Sequence, residues 1–456
     1  MAGGAGSVRL AGERMKLNAV LLKSSFVGAL GGLLFGFDTA VISGTQSSLT
    51  TQFNLSPHQL AWTVSIALWG TVIGAMVAGA PGQRFGPRDT LRVLAMFYLL
   101  SALGCAFAMN LPMVLLFRFL VGLAVGGSSV LSPVYIAEIA PAEWRGRLVG
   151  SFQISVVVGI LVAYLSNYFI GTLGLGLADW RWMFGVAAAP ALLFFALLFT
   201  IPNSPRWLAT KGRATEARDV LQKIGAADPE AEMRDIEHSI HLEKQGATES
   251  LFSAKYKFPI FLAISIGIFN QLSGINAILY YLNPIFTAAG FSRVSGDQQA
   301  VIIASVNLIA TLVGMTLIDK LGRKTLLLIG SVGTALSLAG VATVFFTHTH
   351  PERLLWFLVG FIAFFAVSQG AVIWVYIGEV FPNAVRAKGQ SVGSSAHWIT
   401  NAIISYVFPL MAAKSGAYPF VFFAVMMVVQ LLVVGAFYPE TKGVSLEEMQ
   451  AKLGIE

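Results

Sequence analysis

Two charged side chains stand inside long apolar runs. Asp38 lies within G-A-L-G-G-L-L-F-G-F-D-T-A-V-I-S-G at residues 28 to 44, and Arg118 within the run from 112 to 137. A charge at membrane depth costs about 3 kcal/mol even on the most lenient insertion scale, so each residue is a functional-site candidate by default. Asp38 is six residues from the end of its run at Gly44 (44 − 38 = 6), and Arg118 is six from the start of its own at Pro112 (118 − 112 = 6). If both runs are helices that meet the same membrane face, each charge sits about 9 Å deep at 1.5 Å per residue, and the two can pair. A carboxylate held ionised by a guanidinium takes up a proton when the two separate, which is the chemistry of a conformationally gated proton carrier. The same pair also suits a structural tie between two helices. The glycines at 28, 31, 32, 36 and 44 leave one face of the first run nearly bare, open to a neighbouring backbone or a water-filled cavity.

A second set of candidates is uncharged. Carboxamides and indoles gather in a few apolar runs: Gln153, Asn270, Gln271, Asn276, Asn307, Trp374, Trp398 and Asn401, with His397 beside them. An amide offers donor and acceptor together, as adjacent hydroxyls require, and an indole covers an apolar ring face while donating through N–H. Gln271 and Asn276 are five apart and share no face of an unbroken helix, but Gly274 between them is a natural place for a break that turns both inward. Any one amide also serves as glue between helices. Their number, without accompanying carboxylates or lysines, favours a neutral polyhydroxylated solute. No phosphate loop, zinc-spaced histidines or serine elbow is present, so the sequence offers no enzyme chemistry, metal site or cofactor.

A third set recurs. Tyr135-Ile-Ala-Glu138-Ile-Ala-Pro141 with Arg145 aligns without gaps with Tyr376-Ile-Gly-Glu379-Val-Phe-Pro382 with Arg386, at an offset of 376 − 135 = 241. Gln83-Arg-Phe-Gly86-Pro-Arg88 aligns with Asp319-Lys-Leu-Gly322-Arg-Lys324 at 319 − 83 = 236. Two unrelated motifs at nearly one spacing imply two halves of the same topology, with a substrate site between them at the midplane. Glu138, Arg145, Glu379 and Arg386 would stand at helix ends, where cross-domain salt bridges could close a gate; a purely topogenic role for the arginines is the alternative.

The elements that must carry these residues follow from composition. The chain has 456 residues, 56% hydrophobic and 12% charged, the profile of a polytopic membrane protein. Apolar spans of roughly 20 residues fall at 22–44, 60–80, 91–109, 112–137, 148–170, 182–201, 258–287, 299–318, 325–346, 354–378, 389–412 and 418–438. The expected fold is therefore all-α, with twelve transmembrane helices in two pseudo-symmetric six-helix halves at 22–201 and 258–438. A segment at 1–21, a linker with short helices at 202–257 and a tail at 439–456 would all be cytoplasmic. The first span runs too long for a secretory signal and reads as a retained helix. Arg84, Arg88, Arg145, Arg147, Lys320, Arg323, Lys324, Arg386 and Lys388 would then gather inside, against Arg181, Arg293, Arg353 and Lys414 outside, as the positive-inside rule requires. The +7 formal charge is topological and does not indicate nucleic acid. A single cysteine, Cys105, rules out a disulfide framework.

In combination the motifs resemble the sugar porters of the major facilitator superfamily, over essentially the whole chain from Leu22 to Gly443. They are F-G-F-D-T-A-V-I-S-G at 35–44, R-F-L-V-G at 118–122, Y-I-A-E-I-A-P at 135–141, S-P-R-W-L at 204–208, Q-L-S-G-I-N at 271–276, D-K-L-G-R-K at 319–324 and P-E-T-K-G at 439–443. The resemblance implies monosaccharide transport by alternating access in a plasma membrane, the inner membrane if the source is bacterial, by a protein functional as a monomer. It assigns sugar contact to Gln153, Asn270, Gln271, Asn276, Asn307, Trp374, His397 and Trp398, with Asn401 beside them. Ile160 stands where xylose-type porters have a second glutamine and glucose-type facilitators have isoleucine, which together with Q-L-S at 271–273 leans toward a hexose such as glucose. An acid at the position of Asp38 is the symporter pattern, with Arg118 as partner. Arg206 and Arg323 join Glu138, Arg145, Glu379 and Arg386 in the implied cytoplasmic gate. The chain departs from the pattern at Gln83, Pro87, Asn203, Ala366 and Ala371; the first three touch the lock of the first half, and Ala371 replaces a proline expected to bend helix ten. The expectation is a proton-coupled hexose symporter. The alternatives are a uniporter in which Asp38 and Arg118 are structural, a non-transporting sugar sensor, disfavoured by the short tail, and a drug exporter, disfavoured by the amides.

Overall fold

The computed structural model describes residues 18–141, 143–246, 249–382, 385–444 and 446–455; residues 1–17, most of the expected N-terminal segment, lie outside it. Twelve long helices follow one another: α1 (Ala19–Phe53), α2 (Pro57–Val77), α3 (Pro87–Ala106), α4 (Leu111–Ile139), α5 (Arg145–Thr172), α6 (Gly176–Leu197), α7 (Ala254–Tyr280), α8 (Arg293–Leu321), α9 (Arg323–Thr347), α10 (Arg353–Glu379), α11 (Arg386–Lys414) and α12 (Tyr418–Phe437). Eleven are long and apolar enough to cross a membrane. The exception, α11, has the length, but His397, Asn401 and several serines dilute its hydropathy. No strand occurs among the described residues.

Starts are set by caps. Asn18 accepts from the backbone of Leu21 at 2.8 Å, Ser56 and Gln59 form a capping box ahead of Pro57, and Asn110 accepts from Met113 at 3.0 Å. Packing is set by small residues. A methyl on Gly36 of α1 would fall inside bonding distance of the Val156 carbonyl of α5, and one on Gly159 would meet the Leu33 carbonyl. The bare face of α1 therefore admits a neighbouring backbone and not a water-filled cavity.

Helices α1 to α6 make one half and α7 to α12 the other. Across the divide α2 packs on α11, α5 on α8, and α1 on the end of α7. Between the halves run Pro205–Thr210, Ala214–Lys223 and Pro229–Gly246, helices with polar outer faces that mark what is called here the linker end. Two breaks matter for the site. Helix α7 stops at Leu272 and resumes at Ile275, with Gly274 left-handed at φ 86°. Helix α10 breaks at Ser368 (φ −110°, ψ −90°), three residues before Ala371, so it bends without the proline whose absence the sequence suggested would matter.

Candidate functional site

Asp38 on α1 and Arg118 on α4 do pair: Arg118 Nη1 donates to Asp38 Oδ1, with the arginine side chain 3% and the aspartate 16% exposed. The Phe184 ring lies 5.4 Å from the guanidinium. Cavities open on two sides of the pair. One is closed within the first half by Tyr98, Ser101, Cys105 and Phe184. The other leads between the halves and is bounded by Phe35, Thr39, Tyr280 and Trp398.

Two residues of that second cavity's wall, Tyr280 and Trp398, are in contact with the amide cluster. The break at Gly274 brings Asn276 Nδ2 to within 3.1 Å of Gln271 Oε1, so the two side chains separated by five positions meet as the spacing argument required. Gln271 Nε2 reaches Asn270 Oδ1 at 3.2 Å and a ring nitrogen of His397 at 3.1 Å. His397 stands between Trp374, 5.1 Å away, and Trp398, 5.0 Å away and edge-on, and Trp398 meets Phe35 of the other half at 5.6 Å. Asn401 donates to the Tyr280 hydroxyl at 3.1 Å. Gln153 on α5 and Asn307 on α8 sit on the helices that pack across the divide, and neither amide makes a protein hydrogen bond among the described residues. Trp374 is 40% exposed. The result is a linked cluster of Asn270, Gln271, Asn276, His397, Trp374 and Trp398, with the amides of Gln153 and Asn307 still offering donors and acceptors. Ile160 is 5% exposed in the α1–α5 seam, its backbone nitrogen against Gly36.

The gate candidates are arranged differently from expectation. Arg323 grips Glu379 with two hydrogen bonds (2.8 and 3.1 Å) and Asp319 with a third (3.0 Å), all within the second half. Arg145 donates to the Ala137 carbonyl at 3.1 Å and Arg386 to the Phe381 carbonyl at 3.3 Å, each within its own half, while Arg206 donates to Ser239 of the linker. Glu138 is half-buried on α4. These contacts join groups inside a half or tie a half to the linker; the cross-domain bridges expected of this set are not among them. The contacts that join the halves lie at the opposite end, and here each guanidinium settles on acceptors within its own half or the linker.

The contacts that do cross the divide cluster at the opposite end and were not anticipated from the sequence. Gln46 donates to the Tyr280 carbonyl (2.6 Å), Tyr164 to the Leu279 carbonyl (2.5 Å) and the Asn283 backbone to Ser43 (2.8 Å), and Arg293 pairs with Asp179 (2.7 Å). Nothing in local spacing marks such small polar residues as partners. Only the midplane break in α7, which turns carbonyls toward α1, gives a hint.

A family model described as Sugar (and other) transporter matches residues 24–453. The chain belongs to this family of transporters. It is a multi-pass membrane transporter of the major facilitator fold, not an enzyme. The D-xylose-proton symporter of Escherichia coli (strain K12) is 36% identical over 473 residues, spanning 95% of this chain and 96% of that protein. The arabinose-proton symporter of Bacillus subtilis (strain 168) is 36% identical over 444 residues, 96% and 95% of the two chains. A glucose transport protein of Synechocystis is 35% identical over 452 residues, 94% and 97%. Among solved structures, a partially occluded inward open form of the E. coli xylose transporter superposes with TM-score 0.85 at 34% identity, over 94% of this chain and 100% of that one. The same transporter bound to 6-bromo-6-deoxy-D-glucose gives 0.80 at 36% identity, over 95% and 99%.

Proposed function

We propose that this chain is a proton-coupled monosaccharide symporter working by alternating access, with Asp38 as proton carrier and Arg118 as its partner. The observation that carries the reading is the cavity whose walls include Asp38, Arg118, Tyr280 and Trp398. It sets a titratable pair in one half against Tyr280 and Trp398 of the other, which touch the amide cluster through Asn401 and His397. Gln153, Asn270, Gln271, Asn276, Asn307 and Asn401 hold the sugar hydroxyls, and Trp374, His397 and Trp398 cover its ring faces. When sugar and proton are both aboard, the Asp38–Arg118 pair is relaxed and the halves rock about them. Ile160 contributes packing. The linker end, which collects the basic residues, faces the cytoplasm of an inner membrane, and Glu138, Arg145, Arg206, Arg323, Glu379 and Arg386 line the gate there, re-pairing when that end closes.

The substrate is a pentose of the xylose or arabinose type ahead of glucose. Two of the relatives above are named for pentoses and one for glucose, and the lean toward hexose rested on Ile160, whose backbone is engaged with α1, and on Q-L-S at 271–273. The competing reading is a uniporter in which the ion pair only ties α1 to α4. Proteoliposomes given labelled xylose, arabinose or glucose, with and without an inward proton gradient, separate the two. Asp38→Asn should abolish gradient-driven accumulation while leaving exchange of sugar down its own gradient; accumulation that survives the substitution rules out symport through Asp38.

A further inference from the structure

Arg293 begins α8 in the second half, and Asp179 begins the first turn of α6 proper in the first half. Their ion pair spans the divide at 2.7 Å, with the aspartate side chain 4% and the arginine 24% exposed. Helix energetics favour one partner and oppose the other. A carboxylate at a helix N-terminus is stabilised by the helix dipole, but a guanidinium there is repelled by it. Arg293 therefore holds an unfavourable place in its own helix, and what offsets that cost lies across the divide.

Its surroundings aim it there. Asn283 Nδ2 donates both to the Arg293 carbonyl and to Asp297 Oδ1, each at 2.8 Å, while the Asn283 backbone donates to Ser43 of α1. Arg293 Nη1 also donates to Ser48 of α1 at 3.1 Å. One turn along, Asp297 is fully buried, with its Oδ2 turned toward Gly171 of α5 and without a hydrogen-bond partner. Arg293 Nε and Nη2 and Asp179 Oδ1 are likewise buried and unsatisfied. Four unsatisfied polar atoms around one ion pair form a cluster that is costly to keep dry, and opening the halves would hydrate all of them.

We infer that Asp179 and Arg293 form a latch between the halves that closes the end opposite the linker and sets how much of the protein faces each way. The inference rests on the alternating-access reading above. The latch holds the two halves against each other only while that end is shut, and its rupture is part of the step that exposes the site on that side. Ser48 and Asn283 orient the arginine, so they are positioning residues and not sugar contacts.

The test uses full-length protein in detergent, with Cys105→Ala to remove the native thiol and Ser43→Cys as reporter. Ser43 is 1% exposed and lies in the seam the latch closes. Maleimide labelling of that thiol should rise roughly tenfold in Arg293→Gln and in Asp179→Asn, and the double variant should rise no further than either single one. Arg293→Lys, which keeps the charge, should stay within about twofold of the parent, separating loss of the latch from loss of the fold. Unchanged labelling in the single variants, or additive increases in the double variant, would overturn the inference. Labelling needs no sugar, so the latch is tested even if every sugar uptake assay fails, and uptake by the unlatched variants is read separately.

Discussion

The two halves solve the same turn at the linker end in different ways. In the second half, Gly322 (φ 91°, ψ 162°) leads into α9, and the carboxylate of Glu440 accepts the first amides of that helix, from Arg323 at 2.9 Å and Lys324 at 3.0 Å. Thr441 donates to Glu379 at 2.6 Å, and Glu379 in turn holds Arg323. In the first half, Gly86 (φ 94°, ψ 151°) leads into α3 with the same backbone, yet three of the charged positions are neutral. By the repeat offsets, Gln83 stands for Asp319 (319 − 83 = 236), Pro87 for Arg323 (323 − 87 = 236) and Asn203 for Glu440 (440 − 203 = 237). What survives in both is a tyrosine tether: Tyr135 donates to the Pro202 carbonyl and Tyr376 to the Pro439 carbonyl. Pro87 has no N–H, so the donor that Glu440 satisfies in one half is absent from the other, and an anionic cap loses its first purpose. The Trp207 ring covers Gly86 instead, its indole donating to the Gln83 carbonyl at 3.0 Å. In the second half a carboxylate caps the helix start; in the first half a proline and an indole take that place. The charges there, Arg88, Asp89 and Arg92, pair among themselves (2.9 and 2.7 Å).

The largest expected effect comes from the shared glycines. Both occupy a backbone region that is essentially glycine-only, where an alanine costs about 1–3 kcal/mol. Gly322→Ala should be the worse, near the top of that range, because its methyl would lie 2.5 Å from Glu440 Oε2, whereas that of Gly86→Ala would be 3.0 Å from the Trp207 ring. Thermal unfolding in detergent ranks them; equal losses would mean that the carboxylate is not held in place.

Acid should divide the halves next. Burial alone would raise the Glu440 carboxyl, but the backbone N–H groups of Lys442, Arg323, Lys324 and Thr325 outweigh it and hold the group below its ordinary 4.5. A depressed folded value means that the stabilisation is present above pH 4.5 and is lost as pH falls through the folded value. Hydrogen exchange at the start of α9, corrected for intrinsic rates, should therefore quicken in that acid window, while the start of α3, with Asn203 nearby, stays level. Parallel behaviour at the two helix starts would refute the assignment of Glu440 as the cap.

The smallest effect belongs to Asn203→Glu, which restores the acid but meets Pro87. Its stabilisation should stay below about 0.5 kcal/mol alone and reach about 1 kcal/mol when combined with Pro87→Ala, the usual worth of a helix cap. A full gain from Asn203→Glu by itself would show that the proline does not explain the difference.

Much of this was legible in the chain. Twelve spans follow from bilayer thickness, and the pairing of Asp38 with Arg118 follows from counting residues to a common membrane face. The break at Gly274 could be placed because two amides five apart needed it. The break in α10 could not, because Ser368 acts through its hydroxyl, which bonds the Phe364 carbonyl at 2.6 Å, and a serine inside an apolar helix carries no such mark. The repeated glutamates and arginines announced themselves by register, but register says nothing about whether a partner lies in the same half. Asp179 and Arg293 looked like ordinary loop charges, since neither lies in an apolar run.

Helix α1 runs unbroken from Ala19 to Phe53. It carries Asp38 and, within the next ten residues, the three side chains Ser43, Gln46 and Ser48 that meet the other half. At 1.5 Å per residue that whole stretch is about 15 Å of rigid rod. A push or twist delivered at the carboxylate is therefore felt at the far seam directly, as a pushrod moves a valve, and no relay of intermediate residues has to be found.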